Sequence, residues 1–489
     1  MALAPPLGST LEELRFANSF AGLGEAFSER RPPDGIPGAR VVAVSLDAAA
    51  LVDLRGGEEL RPEFAALVSG NAVLPGMEPV AALYGGHQFG YWAGQLGDGR
   101  AILLGEVQTA RGPVELQIKG AGLTAFSRMG DGRAVVRSTV REFLCSEAMD
   151  ALGIPTTRAL AMAAGSEPVR RETIERAATV IRLAPSFVRF GSFEIFHYRK
   201  QTAEVKALAD YVIERFYPEC SEGAGEERYA RFFAAVVERT ARLMAAWQSV
   251  GFAHGVMNTD NFSILGLTLD YGPFGFLEAY EPGFICNHTD EGGRYAFDRQ
   301  PTIGLWNCHA LAEALSSLIP REALDAALAR YADEYRAAFL ALHRAKLGLA
   351  DAREGDAELL LALFELLQNR RVDWTRFWRA LSHGEAPALA LLGEDATSLA
   401  WLGRYRERAA GDPRGPDGRR AAMLTVNPKY VLRNWVAQEA IEACEAGDDG
   451  PVRALLEVVR SPYAEHPERE GWAQPAPAKY AGLAVSCSS

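Results

Sequence analysis

The chain is poor in cysteine and has no long apolar run. Its 489 residues include six cysteines and no Cys-x-x-Cys pair, which excludes a disulfide-built scaffold and gives no sign of a cysteine zinc site. No hydrophobic stretch approaches the roughly 20 residues that a transmembrane helix needs. No basic residue precedes an apolar segment at the N-terminus, as it would in a signal peptide. We therefore expect a cytoplasmic protein with no membrane partner.

An excess of basic residues is also missing. The 51 lysines and arginines are outnumbered by 63 acidic residues, which gives a formal charge of −12. A nucleic-acid-binding surface needs cations for its phosphate contacts, so we expect no nucleic-acid partner. The hydrophobic content of 48% is typical of a soluble globular protein, and a chain of this length can hold two or three structural units.

The most informative segment reads His-Gly-Val-Met-Asn-Thr-Asp-Asn over 254–261, and Asp-Tyr-Gly follows at 270–272. In protein kinases, H-x-D-x-x-x-x-N and then D-x-G hold divalent metal through Asn and Asp oxygens. Asn261 and Asp270 occupy those positions, so the pattern predicts Mg²⁺ or Mn²⁺ ligation. The alternative is an Asx turn followed by a β-turn.

The usual catalytic Asp of that pattern is absent. Val256 stands in its place, and a carboxylate occurs instead at Asp260, beside Asn261. Asp260 can accept a proton from an incoming hydroxyl, or it can position Asn261. The segment therefore predicts nucleotide chemistry other than ordinary phosphorylation.

Residue patterns predict strands before about residue 200 and helices after it, an α+β fold. The predicted strands are 40–46, 101–107, 114–119, 156–162, 178–183 and a short apolar one at 262–269, and the early predicted helices are 11–27 and 135–152. The later predicted helices are 203–216, 228–250, 309–318, 322–347, 357–367, 372–381 and 433–444. This is the lobe order of protein kinases, with the site at the junction. We predict an N-terminal extension over 1–75, a kinase-like strand-rich lobe over 76–190, and a helical lobe over 191–489.

The tetrapeptide Gly-Asp-Gly-Arg occurs twice, at 97–100 and at 130–133. Glycines let backbone N–H groups approach phosphate oxygens, and Arg100 adds a bidentate donor. The second copy precedes a predicted helix, so Arg133 and Arg137 can join a helix N-terminus in an anion site. The alternative for each copy is an ordinary turn.

Four charged residues lie in the order expected of a kinase-like phosphate site. Lys119 ends a predicted strand and Glu142 lies on the following helix, as in the Lys–Glu pair of kinases. Arg182 and Arg189 flank the expected junction of the lobes, and guanidinium groups suit phosphate oxygens. Surface charges and salt bridges are the alternative.

Several segments together resemble the selenoprotein O family over nearly the whole chain. They are Tyr-Gly-Gly-His-Gln-Phe-Gly at 84–90, Gly-Gln-Leu-Gly-Asp-Gly-Arg at 94–100, Gln-Ile-Lys-Gly-Ala-Gly at 117–122, residues 254–261, Asp-Tyr-Gly-Pro-Phe-Gly at 270–275, Asn-Pro-Lys-Tyr-Val-Leu-Arg at 427–433 and the terminal Cys-Ser-Ser. The resemblance implies a kinase-like bilobal fold that binds ATP in the reverse orientation. It also implies transfer of AMP to Ser, Thr or Tyr hydroxyls of proteins, and in some bacterial relatives of UMP with Mn²⁺.

The resemblance also implies roles for single residues. Asp260 is the implied proton acceptor, Asn261 and Asp270 are the implied metal ligands, and Glu142 is the implied ion-pair partner of Lys119. The implied nucleotide contacts are Gly97, Gly99, Arg100, Lys119, Asp131, Gly132, Arg182 and Arg189.

Cys487 lies where eukaryotic members of the family carry selenocysteine, so this chain resembles a cysteine version. Cys286 lies where an activation loop would run, and it is the candidate for pairing with Cys487 in a redox-active C-terminal tail. The alternative is an exposed terminal thiol.

Three functions remain open from the sequence. The favoured one is a protein adenylyltransferase. The second is a conventional phosphotransferase that uses Asp260 as a displaced base, and the third is a pseudokinase that binds nucleotide as a scaffold.

Overall fold

The computed structural model describes residues 8–221, 225–480, 482, 483 and 485. The fold is α+β, as predicted, with a strand-rich first part and a helical second part. In the described ranges, no helix is long and apolar enough to cross a membrane.

One large antiparallel sheet dominates the first part. Its strand order is β1-β3-β6-β7-β10-β9-β2, with β8 paired to β10, while β4–β5 and β11–β12 are separate two-stranded pairs. The strands are β1 Ser28–Arg30, β2 Arg40–Val44, β3 Val80–Ala82, β4 Gly85–Gln88, β5 Tyr91–Gln95, β6 Ala101–Thr109, β7 Gly112–Lys119, β8 Ala134–Val135, β9 Arg158–Arg170, β10 Ile174–Ala184, β11 Phe252–Ala253 and β12 Gly275–Phe276.

Helices cover the sheet and build the second part. They are α1 Leu46–Leu51, α2 Pro62–Val68, α3 Val136–Ala151, α4 Phe190–Tyr198, α5 Thr202–Phe216, α6 Glu226–Val250, α7 Gln300–Ala314, α8 Arg321–Ala329, α9 Tyr331–Lys346, α10 Asp356–Asn369, α11 Trp374–His383, α12 Glu385–Leu392, α13 Ala396–Ala410, α14 Gly415–Leu424, α15 Asn434–Glu445 and α16 Gly450–Arg460.

Period-2 alternation on β6 and β7 decides which side of the sheet carries the site. Ile102, Leu116 and Ile118 point to one face, where they pack with Phe64 and Leu67 of α2. Glu115, Gln117 and Lys119 alternate with them on β7 and point to the opposite face, which α3 covers. Because Lys119 belongs to that second set, its ammonium is directed at α3 and the helical part.

The first 75 residues contribute to the sheet. Strand β2 pairs with β9, with Val41 opposite Ala163, and β1 pairs with β3. Helices α1 and α2 cover the outer face. The division at residues 75 and 190 remains a prediction.

The predicted helix over 11–27 is wrong. Only two short 3-10 turns form there, at Leu11–Glu13 and Ala21–Leu23. Asn18 has a φ of +53°, and its side chain donates to Gly76 O at 2.7 Å and accepts from Glu106 N at 3.2 Å. These bonds to distant backbone replace the i→i−4 bonds of a helix.

Several other boundaries differ from the prediction. No strand forms over 262–269, where the described backbone makes only isolated bridges. The predicted helix 322–347 is two helices, α8 and α9, that meet at Arg330, and α7 begins at Gln300 with Pro301 in its first turn. Helices α1, α2, α4, α12, α13, α14 and α16 were not predicted.

A buried lysine lies in the aromatic cluster of the helical part. Lys346 is 3% exposed, and its Nζ lies 5.2 Å from the ring centroid of Trp378. Burial lowers the pKa of Lys346 to about 7. The folded chain therefore holds a proton on this amine less tightly than the unfolded chain does.

We expect Lys346→Met to stabilise the protein near pH 7. The unfolded chain binds the lysine proton between about pH 7 and 10.5 while the folded chain does not, so the parent gains stability as pH rises through this window. The advantage of the variant should therefore shrink toward pH 10, by at most about 1.4 kcal/mol per pH unit. Denaturant unfolding of both proteins from pH 7 to 10 measures it. Lys206→Met, at a lysine exposed and paired with Asp210, is the control and must lack this trend.

Candidate active site

A cavity of about 590 Å³ opens between the loops of the sheet and the segment 254–261. Its floor is formed by Tyr84, Gln88 and Asp260, and its walls by the Gly97–Arg100 turn and the loop 126–133. Arg170 and Arg171, at the end of β9, line the outer part. Five of the predicted nucleotide contacts line this cavity: Gly97, Gly99, Arg100, Asp131 and Gly132.

A cluster of buried charges contains the remaining predicted contacts. Lys119 Nζ lies 2.7 Å from Glu142 Oε2 and 2.8 Å from Asp270 Oδ1. Arg182 Nη1 lies 2.8 Å from Glu142 Oε1 and 2.7 Å from the same Asp270 oxygen. Both cations therefore bridge the α3 carboxylate and the carboxylate of the 270–272 segment.

Arg189 connects this cluster to the base candidate. Its Nη1 donates to Asp260 O at 2.8 Å and lies 3.8 Å from Asp270 Oδ2, while its guanidinium stacks on Tyr84 at 4.5 Å. Burial raises the pKa of Asp270, but Lys119, Arg182 and Arg189 together hold it well below its usual range. Asp270 is therefore ionised across the physiological range.

The segment 254–261 is fixed by its own contacts. The His254 ring stacks on Trp247 with centroids 5.2 Å apart, and its Nε2 is 2.7 Å from Leu269 O. Burial lowers the pKa of His254, so the ring stays neutral and donates that bond. Asn261 Nδ2 donates to Val256 O at 3.0 Å, which closes the loop on itself.

Asp260 is 8% exposed and faces the cavity. Its Oδ2 accepts from Gln88 Nε2 at 3.2 Å, and no described residue donates to its buried Oδ1. Burial raises the pKa of Asp260 to about 7, although Arg189 and the Gln88 bond oppose the rise. A carboxylate with this pKa and a vacant oxygen suits proton transfer near neutral pH.

The β4–β5 hairpin carries Gln88 and is hydrogen-bonded to the segment 254–261. His87 N donates to Thr259 Oγ1 at 2.7 Å, and Phe89 N donates to Asn258 Oδ1 at 3.1 Å. On its other face, the His87 ring packs against Trp92, Tyr198 and Trp306. Phe89 and Gly90 form the tight turn, both with positive φ.

Asn261 and Asp270 carry side-chain oxygens of the kind that a small divalent cation binds. Asn261 Nδ2 donates to Val256 O, and no described residue donates to Asn261 Oδ1. Among the described residues, Asp270 Oδ2 has only the long contact with Arg189. Two hard oxygens plus substrate phosphates are typical of protein Mg²⁺ and Mn²⁺ sites. No group of three or more His, Cys, Asp or Glu that could hold a metal occurs within the described ranges.

The second Gly-Asp-Gly-Arg copy is fixed by ion pairs. Arg171 contacts both oxygens of Asp131, at 2.7 and 3.0 Å, and this contact lowers the pKa of Asp131. Arg133 pairs with Glu167 at 2.9 Å, and Arg137 pairs with Glu175 at 3.0 Å. The predicted anion site at the start of α3 therefore has its two arginines already paired.

Of the two redox candidates, the structure describes only Cys286, which packs against the start of the 254–261 segment. Cys286 is buried, and its Sγ donates to Ala253 O at 3.4 Å. Cys487 lies outside the described residues, so its pairing remains a prediction. The described Val485 accepts a backbone bond from His288 at 3.1 Å, two residues from Cys286.

Sequence reasoning missed Gln88, Tyr84 and the buried pair Asp98 and Gln117. All four lie in segments already singled out by the resemblance, at 84–90, 94–100 and 117–122. Their side chains are of common types, and only their contacts in the folded chain indicate a role: Tyr84 and Gln88 line the cavity, and Asp98 and Gln117 are buried and bonded to each other.

A strand-rich lobe, a helical lobe and a Lys–Glu–Asp cluster beside a nucleotide-sized cavity define a kinase-like transferase that binds nucleotide. The chain matches the family model described as Protein adenylyltransferase SelO over residues 10–460. It belongs to that family.

Relatives from bacteria are similar over nearly their full length. A protein nucleotidyltransferase YdiU of Myxococcus xanthus is 54% identical, over 98% of this chain and 100% of the relative. Proteins of the same name from Bordetella parapertussis and Thioalkalivibrio sulfidiphilus are 51% and 50% identical, each over 98% of this chain and 99% of the relative.

We expect Gly86→Ala to lower the turnover number about 10- to 100-fold, because a 1 Å displacement of a catalytic group has effects of this size. A Cβ at position 86 would lie 2.8 Å from Asp260 Oδ1, and Gly86 has no positive φ, so the methyl group displaces the carboxylate without straining the backbone. Steady-state kinetics and thermal unfolding measure the two effects. Gly403→Ala, on α13 with no neighbour within 4 Å, is the control. A parent-like turnover number in a folded Gly86→Ala protein contradicts this role of Asp260.

Proposed function

We propose that this chain is a protein adenylyltransferase that moves AMP from ATP to Ser, Thr or Tyr hydroxyls of other proteins. The hydroxyl oxygen attacks the α-phosphorus, and a new O–P bond forms. The bond between the α-phosphorus and the bridging oxygen breaks, and pyrophosphate leaves. The hydroxyl proton passes to Asp260.

One observation carries this proposal. Val256 replaces the base of an ordinary kinase, while Asp260 faces the cavity with an unpartnered Oδ1 and a pKa near 7. The base position has therefore moved by four residues along the loop. A base in this position suits a hydroxyl aligned with a different phosphorus, because geometry selects which phosphate reacts.

The distribution of cations supports a reversed nucleotide. Arg100, Arg133, Arg170 and Arg171 line the cavity, Arg133 and Arg171 while also paired with Glu167 and Asp131. Lys119, Arg182 and Arg189 contact Asp270. Cations beyond the α-phosphate neutralise the charge that develops on departing pyrophosphate. With the β- and γ-phosphates next to the cavity-lining arginines, the α-phosphate is the one nearest Asp260.

The same residues can hold the metal that the family implies. Asn261 and Asp270 would bind Mg²⁺ or Mn²⁺, which supplies charge neutralisation at the phosphates. Lys119 and Arg182 keep Asp270 ionised and oriented, and Glu142 balances their charge. Use of UTP with Mn²⁺ belongs to the same proposal.

The remaining parts of the proposal concern partners and regulation. Protein substrates and ATP are the proposed partners, with no nucleic acid or membrane, in the cytoplasm. A disulfide between Cys286 and Cys487 is the proposed redox element, supported by the contact between Val485 and His288.

Labelled nucleotide distinguishes the three functions. We expect α-labelled ATP to label proteins of a bacterial extract with Mg²⁺ or Mn²⁺, and release of pyrophosphate to match. Label from γ-labelled ATP alone would show a conventional kinase that uses Asp260. Retained ATP binding without any transfer would show a nucleotide-binding scaffold. Asp260→Asn, which keeps the shape and removes the base, is the matched negative.

We expect Asp270→Asn to lower transfer about 100-fold or more, as loss of a preorganised charge contact does. The amide keeps an oxygen for Lys119 and Arg182, so the fold is retained. Asp270→Ala should also lose about 3–5 kcal/mol of unfolding free energy, because it leaves buried cations without a partner. Initial rates and denaturant unfolding measure both effects, with the exposed Asp417→Asn as control. Parent-like transfer by Asp270→Asn contradicts the assignment.

A further inference from the structure

Two buried polar residues next to the cavity have no role in the reaction described above. Asp98 is the second residue of the Gly97–Arg100 turn, and Gln117 lies on β7 two residues before Lys119. They are 3% and 1% exposed. Buried polar side chains need hydrogen-bond partners, so their contacts show what they fix.

Asp98 fixes the shape of the turn. Its backbone N donates to Ala82 O at 2.9 Å, and its Oδ2 accepts from Ala82 N at 3.2 Å. Thr124 Oγ1 donates to Asp98 O at 2.7 Å, which attaches the turn to the loop that forms the cavity wall. The same Oδ2 also accepts from Gln117 Nε2 at 3.1 Å.

Gln117 transmits this orientation to the charge cluster. Because Gln117 Nε2 donates to Asp98 Oδ2, Gln117 Oε1 points away from Asp98 and accepts from Arg182 Nη2. A flipped amide would set its NH₂ against the guanidinium and its oxygen against the Asp98 carboxylate. Arg182 thus receives a fixed orientation, and its Nη1 binds Glu142 and Asp270.

We propose that Asp98 and Gln117 form a positioning relay that fixes Arg182, and through it Asp270, relative to the Gly97–Arg100 turn. The relay rests on the proposed function and explains two members of the motifs at 94–100 and 117–122. It makes the turn on the cavity wall and the Asp270 carboxylate parts of one hydrogen-bonded unit. Phosphates bound at the turn then meet a carboxylate already in place, so no reorganisation is needed during reaction.

Exchanging the acid and the amide tests the relay. Gln117→Glu sets a second carboxylate against Asp98, and we expect at least a 10-fold loss in turnover number with the KM for ATP within about 3-fold of the parent. Asp98→Asn alone keeps an acceptor oxygen and should cost less. In the double variant Asp98→Asn/Gln117→Glu, the new amide donates to the new carboxylate, which still accepts from Arg182, but the bond that Asp98 Oδ2 accepts from Ala82 N is lost. We expect it to recover at least half of the loss, counted on a logarithmic scale.

A merely structural role gives a different pattern. It lowers the melting temperature but leaves the turnover number of folded enzyme unchanged, and the double variant is then the sum of the single ones. Either result overturns the relay. Gln117→Met, which keeps length and removes both bonds without adding charge, replaces Gln117→Glu if that protein does not fold, and it must also lose at least 10-fold in turnover number.

Glu115→Gln is the matched control. Glu115 is buried two residues earlier on the same face of β7, and it accepts from Phe187 N at 2.7 Å, outside the relay. We expect its turnover number within about 2-fold of the parent, since the amide keeps that acceptor.

A parent chain that transfers γ-label instead of α-label overturns the proposed function alone, and the variants are then scored on that transfer. A parent chain with no transfer at all overturns both.

Discussion

The site depends on one carboxylate shared between two buried cations. Asp270 Oδ1 accepts from Lys119 and Arg182, which belong to neighbouring strands β7 and β10, and both cations also contact Glu142 on α3. Taking such charges out of water costs several kcal/mol each, which only close and complete pairing offsets. The cluster therefore requires the sheet, α3 and the 270–272 segment to meet at one point, and it fixes the geometry of the cavity next to it.

The same requirement explains why the strand-rich part must be built accurately. A shift of one residue between β7 and β10 would turn Lys119 or Arg182 to the opposite face, where α1 and α2 pack with apolar residues. A cation there would have no partner. The apolar outer face and the charged inner face thus select the same register.

Much of this arrangement could be predicted from the chain. Alternation on β7 and the helical period of α3 place Lys119 and Glu142 on the elements where they are observed, because local period reports burial of one face. The predicted ends of these elements lie within about two residues of the observed ones. The segment around Asn261 and Asp270 was found from spacing alone. The α+β class and the family were confirmed.

Other features depend on contacts between distant residues, which no local pattern encodes. The apolar residues of 11–27 recur at helical spacing, but no α-helix forms there, because the Asn18 side chain bonds to the distant backbone of Gly76 and Glu106. The break at Arg330 divides one amphipathic pattern because α8 and α9 both pack on α6. The bond from Gln88 to Asp260 joins residues 172 positions apart. Asp98 and Gln117 become significant only when the bonds that connect Asp98 through Gln117 to Arg182 are seen.

The β4–β5 hairpin constrains how the two lobes can move. It leaves the sheet after β3, yet its backbone is bonded to Asn258 and Thr259 in the helical lobe. A hinge that parted the lobes would have to break these bonds and the packing of His87 among its aromatic neighbours. The loop 126–133, which lines the cavity and carries the fully exposed Met129, is not held by these bonds. Access to the cavity past this loop would leave the hydrogen bonds between the hairpin and the helical lobe intact.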